Sequence, residues 1–549
     1  MRSFRPELLA LLVSAVLVLP VAPVSKRAAS LSSAADDTAV STLVQAPSLA
    51  AAKAAVAAVG GHASHELGII NAVAAPLTAR QRSLLAGRSE LHLFADAAVE
   101  LGASNSGNNG NGNGNNSTET FYPSIVGAKN LHSQGINGFG VTVAVLDTGY
   151  WRETGLSTNA YQLPRVLAQY DATRNRIDSI LSLGVTTDAN GHGSHVSSII
   201  LDSTQVSGKY RGVAPGAFLV SVKAFDQNGR GTYADVIRGL DWLVANRNLL
   251  NIRVLNLSFS AAPASFYWDD PLAQAVMKAW QAGIVVVASA GNRGPEPLTI
   301  GVPGNVPYVI TVGAMTDNYT PTNLADDRIA SFSSAGPSVE GFIKPEVVAP
   351  GGHVVGLFRP GSTLFVGHAE SRINGTHYGR LSGTSQASAV VSGVVALMLQ
   401  AQPSLTPDDV KCRLMLNSRP AGTGGALGYS VLQQGAGLVW APGAVADTRT
   451  GCANQGLDIA ADIAGDLHFG GPVRQDAAGN FIVHDGDGTI YSWDGNFSAA
   501  TFPWIDTFPW IDAATFPWID NYLPGGYGQR IGNNWTNQTA EVNPWVPEE

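Results

Sequence analysis

Five short apolar runs recur through the middle of the chain: Val141 to Leu146, Phe218 to Phe225, Val254 to Leu257, Ile284 to Ala288 and Tyr308 to Val312. Hydrophobicity that is continuous rather than alternating suits strands buried on both faces, the usual condition of a parallel sheet. Between the runs lie stretches with helical spacing, among them Tyr233 to Asn246 and Leu272 to Ala282. The alternation predicts an α/β domain, a parallel sheet with helices on both faces, whose ligands bind beyond the carboxyl ends of the strands. A further apolar stretch, Ala387 to Gln400, has helical length and follows Ser385 without a break. Ser385 should therefore sit at a helix N-terminus, where unpaired backbone N–H groups and the helix dipole favour negative charge. Taken alone, Gly383-Thr384-Ser385 reads as an ordinary cap on a buried helix.

The pattern changes on either side of this region. Residues 31–101 are Ala-rich, with helix-like segments over Ser48 to Val59 and Thr78 to Leu85. Gly102 to Asn116 is a run of Gly, Asn and Ser that cannot bury surface, so 102–120 is expected to be a flexible linker open to proteolytic nicking. Residues 1–30 read as a secretory signal: Arg2 and Arg5 precede the apolar stretch Leu8 to Leu19, which Pro20 ends. That stretch is short for a membrane span, so export is expected. The compact α/β domain is expected over 121–450 and a separate C-terminal region over 451–549. There the unit Thr501-Phe502-Pro503-Trp504-Ile505-Asp506 recurs at Thr507 and Thr515. Each Pro removes a backbone donor, so the repeats suit neither a helix interior nor a central strand. Their aromatic side chains are expected to form either a pad on the preceding domain or a strip that contacts a surface or ligand.

A chain of 549 residues is too long for one ordinary core and suggests about two to four units. A net charge of −9 argues against nucleic acid as the main partner. Only 2 Cys occur, which excludes a disulfide-framework mini-domain. Cys412, in a helix-like stretch, and Cys452, just past the expected domain end, are expected to pair, since oxidation is favoured in an exported chain.

Candidate chemistry lies at the strand ends. The first run leads into Asp147-Thr148-Gly149, and Ile284 to Ala288 leads into Ser289-Ala290-Gly291-Asn292-Arg293-Gly294. Between them in sequence lies Asn190-Gly191-His192-Gly193-Ser194-His195. A carboxylate at a strand end and an Asn beside Gly are both common turn residues. Two His three apart raise the question of a metal, but no carboxylate or Cys follows at zinc spacing, and none is expected. Together, Asp, His in a glycine-flanked turn, Asn after a strand and Ser before a helix form a set suited to nucleophilic acyl transfer. That chemistry needs a base to take the serine proton, a carboxylate to fix the imidazole tautomer, and a donor for the oxyanion.

In chain order and motif these residues resemble the subtilisin family of serine proteases over about residues 121–445. The motifs are Leu131-His132-Ser133-Gln134-Gly135, Asp147-Thr148-Gly149, His192-Gly193-Ser194-His195, Arg211-Gly212-Val213-Ala214-Pro215, Asn256-Leu257-Ser258, Ala290-Gly291-Asn292 and Gly383-Thr384-Ser385. The resemblance implies a three-layer, subtilisin-like α/β domain with a mostly parallel central sheet, preceded by a small α+β prodomain and followed by the repeat-bearing tail. It implies Ser385 as nucleophile, His192 as general base and then acid, Asp147 as its orienter, and Asn292 with the Ser385 N–H as oxyanion hole. His195 is then structural. Gly229, Arg230 and Gly231 would pair with an extended peptide, with Ser258, Phe259 and Ser260 opposite, giving affinity largely independent of side chains. Ser258 to Ala261 and Ala288 to Gly291, including Ala290, would line the primary specificity pocket.

Several positions depart from the family. Gln386 replaces the usual Met after the nucleophile, Ala389 and Val390 replace a Pro and a His, and Ser260-Ala261 stand where Gly-Gly is common, which bears on pocket width. The usual calcium loop is not recognisable in Leu201 to Lys209. No cofactor is expected for the chemistry, and a structural calcium elsewhere stays open. Gly60-Gly61 and Leu67 to Val73 resemble the family's inhibitory prodomain, so the chain's own prodomain is an expected transient inhibitor. The expectation is a secreted serine endopeptidase acting on protein or peptide substrates, with possible surface contact through the C-terminal repeats. The alternatives are a catalytically inactive adhesion module on the same fold and an acyl esterase.

Overall fold

The computed structural model describes residues 38–101, 117–421, 429–475, 481–484 and 490–493. The expected signal segment, the linker up to Asn116 and the aromatic repeats lie outside these residues.

Residues 38–101 begin with a four-stranded antiparallel sheet in the order His65–Leu67, Ala72–Leu77, Val40–Gln45, His92–Ala95. The helices Leu49–Ala58 and Ala79–Ala86 carry their own start signals. Ser48 accepts from the Ala51 N–H, and Thr78 and Gln81 form a reciprocal capping box. Val44, Val56, Val73, Leu77 and Leu85 give this unit a small core of its own. It docks on two helices of the larger unit, Tyr233–Asn246 and Pro271–Gln281. The Asp241 carboxylate accepts from the Gly68 N–H (2.8 Å), Arg238 Nη2 donates to the Ser64 carbonyl (2.9 Å), and Gln45 Nε2 donates to Gln274 Oε1 (2.8 Å).

The larger unit is built on a mixed, mostly parallel nine-stranded sheet. Its order is Arg328–Ile329, Ile310–Thr316, Val285–Ser289, Ile252–Leu257, Thr142–Asp147, Phe218–Lys223, Val166–Asp171, Arg176–Ser182, with Val347–Pro350 also parallel to Ile310–Thr316. The chain first builds outward from Thr142–Asp147 on one side and later on the other, so this strand is the switch point at which a ligand crevice opens. The strands run further into polar sequence than hydrophobicity alone suggests: they end at Asp147, Ser289 and Thr316 because ladder hydrogen bonds need only backbone. The edge hairpin Val166–Asp171 with Arg176–Ser182 was not anticipated. The helix Tyr233–Asn246 approaches the sheet closely at Gly239, where an added Cβ would lie 2.9 Å from Leu146 and 3.0 Å from Val222. The helix Thr384–Ala401 is long and apolar enough to cross a membrane, but it lies almost wholly buried as the core helix of this unit.

The compact unit does not end at 450. The helix Ile459–Ala464 places Asp462 where its carboxylate accepts from Tyr267 (2.6 Å) and Tyr308 (3.0 Å) hydroxyls. Phe469 is buried, and the Val473 N–H donates to the Gly341 carbonyl at 3.0 Å. Two buried tyrosines thus find their acceptor beyond the expected boundary, and the chain stays packed through about Gln475. Cys412 and Cys452 are joined as a disulfide with Cα atoms 5.4 Å apart.

Candidate active site

Asp147 closes the central strand Thr142–Asp147 and is fully buried. Its carboxylate meets His192 Nδ1 at 2.8 and 3.0 Å and also accepts from the Thr148 N–H at 2.7 Å. His192 is the first residue of the helix His192–Leu201. The turn before it is held by Asp188, whose buried carboxylate accepts from Gly191 N–H (2.7 Å), Ser194 N–H (2.9 Å), Ser194 Oγ (2.6 Å) and Thr148 Oγ1 (2.8 Å). Glycine is required on both sides of His192. Gly191 has φ +106°, and a Cβ at Gly193 would stand 2.6 Å from the Gly149 carbonyl oxygen. The Asp147 and His192 turns are therefore pressed together, with Thr148 Oγ1 accepting from the Gly193 N–H at 2.8 Å.

Ser385 is the second residue of the helix Thr384–Ala401. Its hydroxyl donates to the Ser258 carbonyl at 2.9 Å, and Ser258 Oγ donates back to the Ser385 carbonyl at 3.1 Å. His192 Nε2 is buried and has no hydrogen-bond partner among the described residues. Asn292 follows the strand Val285–Ser289, and its side-chain oxygen accepts from both the N–H and the hydroxyl of Thr384, each at 2.9 Å. With that oxygen occupied by Thr384, the planar amide presents Nδ2 as its donor end in the other direction. His195 lies fully buried against Gly356, and burial first, then neighbouring His192, pushes its pKa down to about 3. Burial therefore favours its neutral form.

The strand Ala98–Leu101 of the N-terminal unit runs antiparallel between Arg230–Thr232 and Phe259–Ser260. Glu100 lies opposite Arg230 on one side and Ser260 on the other, Val99 opposite Gly231, and Leu101 opposite Phe259. The Leu101 N–H donates to the Gly229 carbonyl at 3.3 Å, and Val99 is fully buried. The residues expected to grip an extended peptide thus already hold one from this chain. The two walls beneath it, 258–261 and 288–291, are tied directly, Ser289 Oγ donating to the Phe259 carbonyl (2.9 Å), and through the next segment, where Gly301 N–H donates to the Ala290 carbonyl (3.1 Å) and Val302 N–H to the Ala261 carbonyl (2.8 Å).

Sequence reasoning singled out the groups that could react and missed those that hold them. Asp188 stands in Thr186-Thr187-Asp188-Ala189-Asn190 and looks like a loop residue; its one signal is its place four residues before His192. Thr148 and Thr384 each lie beside a named residue and look like capping residues. Gln386 is fully buried, and neither its side-chain oxygen nor its nitrogen has a hydrogen-bond partner among the described residues. Among the described residues no group of three His, Cys, Asp or Glu could hold a metal ion.

The model of the subtilase family matches residues 138–437. The serine protease AprX of Bacillus subtilis (strain 168) is 40% identical over 286 residues, 51% of this chain and 61% of that protein. Subtilisin DY of Bacillus licheniformis is 32% identical over 292 residues, 53% of this chain and 88% of that protein. Fervidolysin from Fervidobacterium pennivorans, described as a keratinolytic enzyme related to subtilisin, has a similar fold, with a TM-score of 0.59 at 24% identity. The likeness covers 76% of this chain and 62% of that one.

Proposed function

The chain belongs to the subtilase family, and on that premise we propose that it is a secreted serine endopeptidase made with an inhibitory prodomain. An extended peptide enters between Gly229–Gly231 and Ser258–Ser260 and is held by backbone hydrogen bonds. Ser385 Oγ turns from the Ser258 carbonyl towards His192 Nε2, gives up its proton there and attacks the scissile carbonyl carbon. Asp147 accepts from His192 Nδ1–H, which fixes the tautomer that can take the proton and stabilises the imidazolium formed. Asn292 Nδ2 and the Ser385 N–H donate to the oxyanion, the latter at a helix N-terminus where negative charge is favoured. The C–N bond then breaks as His192 returns the proton to the leaving amine. A water molecule, with its proton taken by His192, attacks the acyl-enzyme and releases the acid.

The observation that carries this reading is the strand Ala98–Leu101, bound as a peptide between Arg230–Thr232 and Phe259–Ser260. A groove built for an extended backbone favours peptide over simple ester substrates. The same strand makes residues 38–101 a product-like inhibitor, released once the linker is cut. Residues 1–30 supply the export signal.

The test is Ser385→Ala beside His192→Ala. Each is expected to abolish hydrolysis of casein and peptides, and the double variant to be scarcely worse, because such residues act as a unit. Ser385→Ala is also expected to accumulate as a longer species that retains Gly60. Near-native turnover by Ser385→Ala would overturn the reading, and its normal processing would assign the linker cut to another protease.

A further inference from the structure

We infer that Ser260 bridges the primary specificity slot and restricts this enzyme to peptides with a small side chain at the position that donates the scissile carbonyl. The inference rests on the peptidase reading above. In the docked strand, Leu101 lies opposite Phe259, so the next substrate position in register lies opposite Ser258, whose carbonyl receives the Ser385 hydroxyl at 2.9 Å. The side chain at that position enters between the walls 258–261 and 288–291.

Ser260 fills the space between those walls. A Cβ added at Gly291, on the opposite wall, would stand 3.1 Å from Ser260 Oγ. A Cβ added at Gly301 would stand 2.8 Å from Ser260 Cβ and 3.1 Å from its Oγ. The serine side chain therefore occupies the space into which a side chain would project from one glycine across the slot and from another in the segment that closes it. Hydrogen bonds tie the walls to each other and to the closing segment. Ala261 and Val302 exchange two backbone hydrogen bonds (2.9 and 2.8 Å), the Gly301 N–H donates to the Ala290 carbonyl (3.1 Å), and Ser289 Oγ donates to the Phe259 carbonyl (2.9 Å). A large side chain could enter only by displacing Ser260 or breaking these ties, and overpacking of that kind is disfavoured. A second observation comes from the sequence: the chain's own substrate-like strand is followed by Gly102, Ala103 and Ser104, all with small side chains or none.

The docked strand supplies a ready probe. Peptides Ala-Val-Glu-Leu-X-p-nitroanilide, following Ala98–Leu101, fix the register, and X is Gly, Ala, Ser, Leu or Phe. The mature wild-type enzyme is expected to show kcat/KM for Ala above that for Phe by about tenfold or more, the scale of one misfit in a tight pocket. Ser260→Gly is expected to shift the Phe-to-Ala ratio towards Phe by a similar factor. Labelling of Ser385 by a fluorophosphonate reports separately that the nucleophile is active. An enzyme that labels at Ser385 but prefers Phe or Leu overturns the pocket inference alone, as does a folded, labelled Ser260→Gly with an unchanged ratio. If Ser260→Gly fails to fold, the wild-type series decides. No labelling and no hydrolysis at any X would overturn the peptidase reading and this inference with it.

Discussion

Asp188→Asn tests the support of the site rather than its reacting groups. The Asp188 carboxylate is fully buried and accepts four hydrogen bonds, from Gly191 N–H, Ser194 N–H, Ser194 Oγ and Thr148 Oγ1. Asparagine has the same shape but one acceptor oxygen. Directed at Ser194, that oxygen keeps two of the bonds, and the amide NH2 then faces the Gly191 N–H and the Thr148 hydroxyl. The hydroxyl can rotate and accept; the backbone N–H cannot. One buried donor is left unpaired, at about 1–3 kcal/mol. The retained bonds also lose their charge assistance, which is worth roughly a further 1 kcal/mol. The expected loss is about 2–4 kcal/mol, read from urea denaturation in a Ser385→Ala background so that autolysis does not interfere. In the active background, the Gly191–Ser194 turn carries His192, so kcat is expected to fall by about ten- to a hundredfold. KM should change less than kcat, because the four bonds of the Asp188 carboxylate go to Gly191, Ser194 and Thr148 and none to Arg230–Thr232 or Phe259–Ser260. A variant within about 0.5 kcal/mol of wild type and with full kcat would refute the assignment of Asp188 as the residue that holds the His192 turn.

Three further outcomes are expected. Asn292→Ala should lower kcat with little change in KM, by about 10²–10³, the magnitude known for the equivalent donor in subtilisin; an effect confined to KM would make Asn292 a turn residue. A stop after Asn454 removes Asp462 and buried Phe469, orphaning the Tyr267 and Tyr308 hydroxyls. It should destabilise the enzyme by several kcal/mol, on the order of a Phe-to-Ala core substitution plus two unpaired hydroxyls. A stop after Trp493, which removes the aromatic repeats, should leave hydrolysis of small peptides within a few-fold, and a melting scan beside a nitroanilide assay separates the two truncations.

What the sequence conveyed follows from where each residue's partner lies. Parallel strands were legible because both their faces are buried, so Val143, Val145, Leu255 and Val286 announce themselves without reference to anything distant. The proposed reacting groups could be named because the chemistry proposed for them requires particular residue types in a recurring order. Residues whose meaning depends on remote backbone were not. Arg165 has no local sequence signal of burial, yet it is fully buried and donates to the carbonyls of Thr158, Leu201 and Pro215. The same holds for Lys344 and Lys411, both buried against Glu346.

The boundary placed at 450 fails for the same reason. Composition changes there, but hydrogen-bond need does not: Tyr267 and Tyr308 are buried and their acceptor arrives with Asp462, 195 and 154 residues later. Where a domain ends is set by where its last buried polar group is satisfied, and that is a property of contacts. The pocket illustrates the same limit. That Ser260 replaces a smaller residue was visible at once, but its consequence depends on Gly291 and Gly301 lying against it, and neither distance is written in the local sequence. A serine in an open slot would change little; on the proposal above, a serine set close to Gly291 and Gly301, in a slot whose walls are tied by hydrogen bonds, selects the substrate.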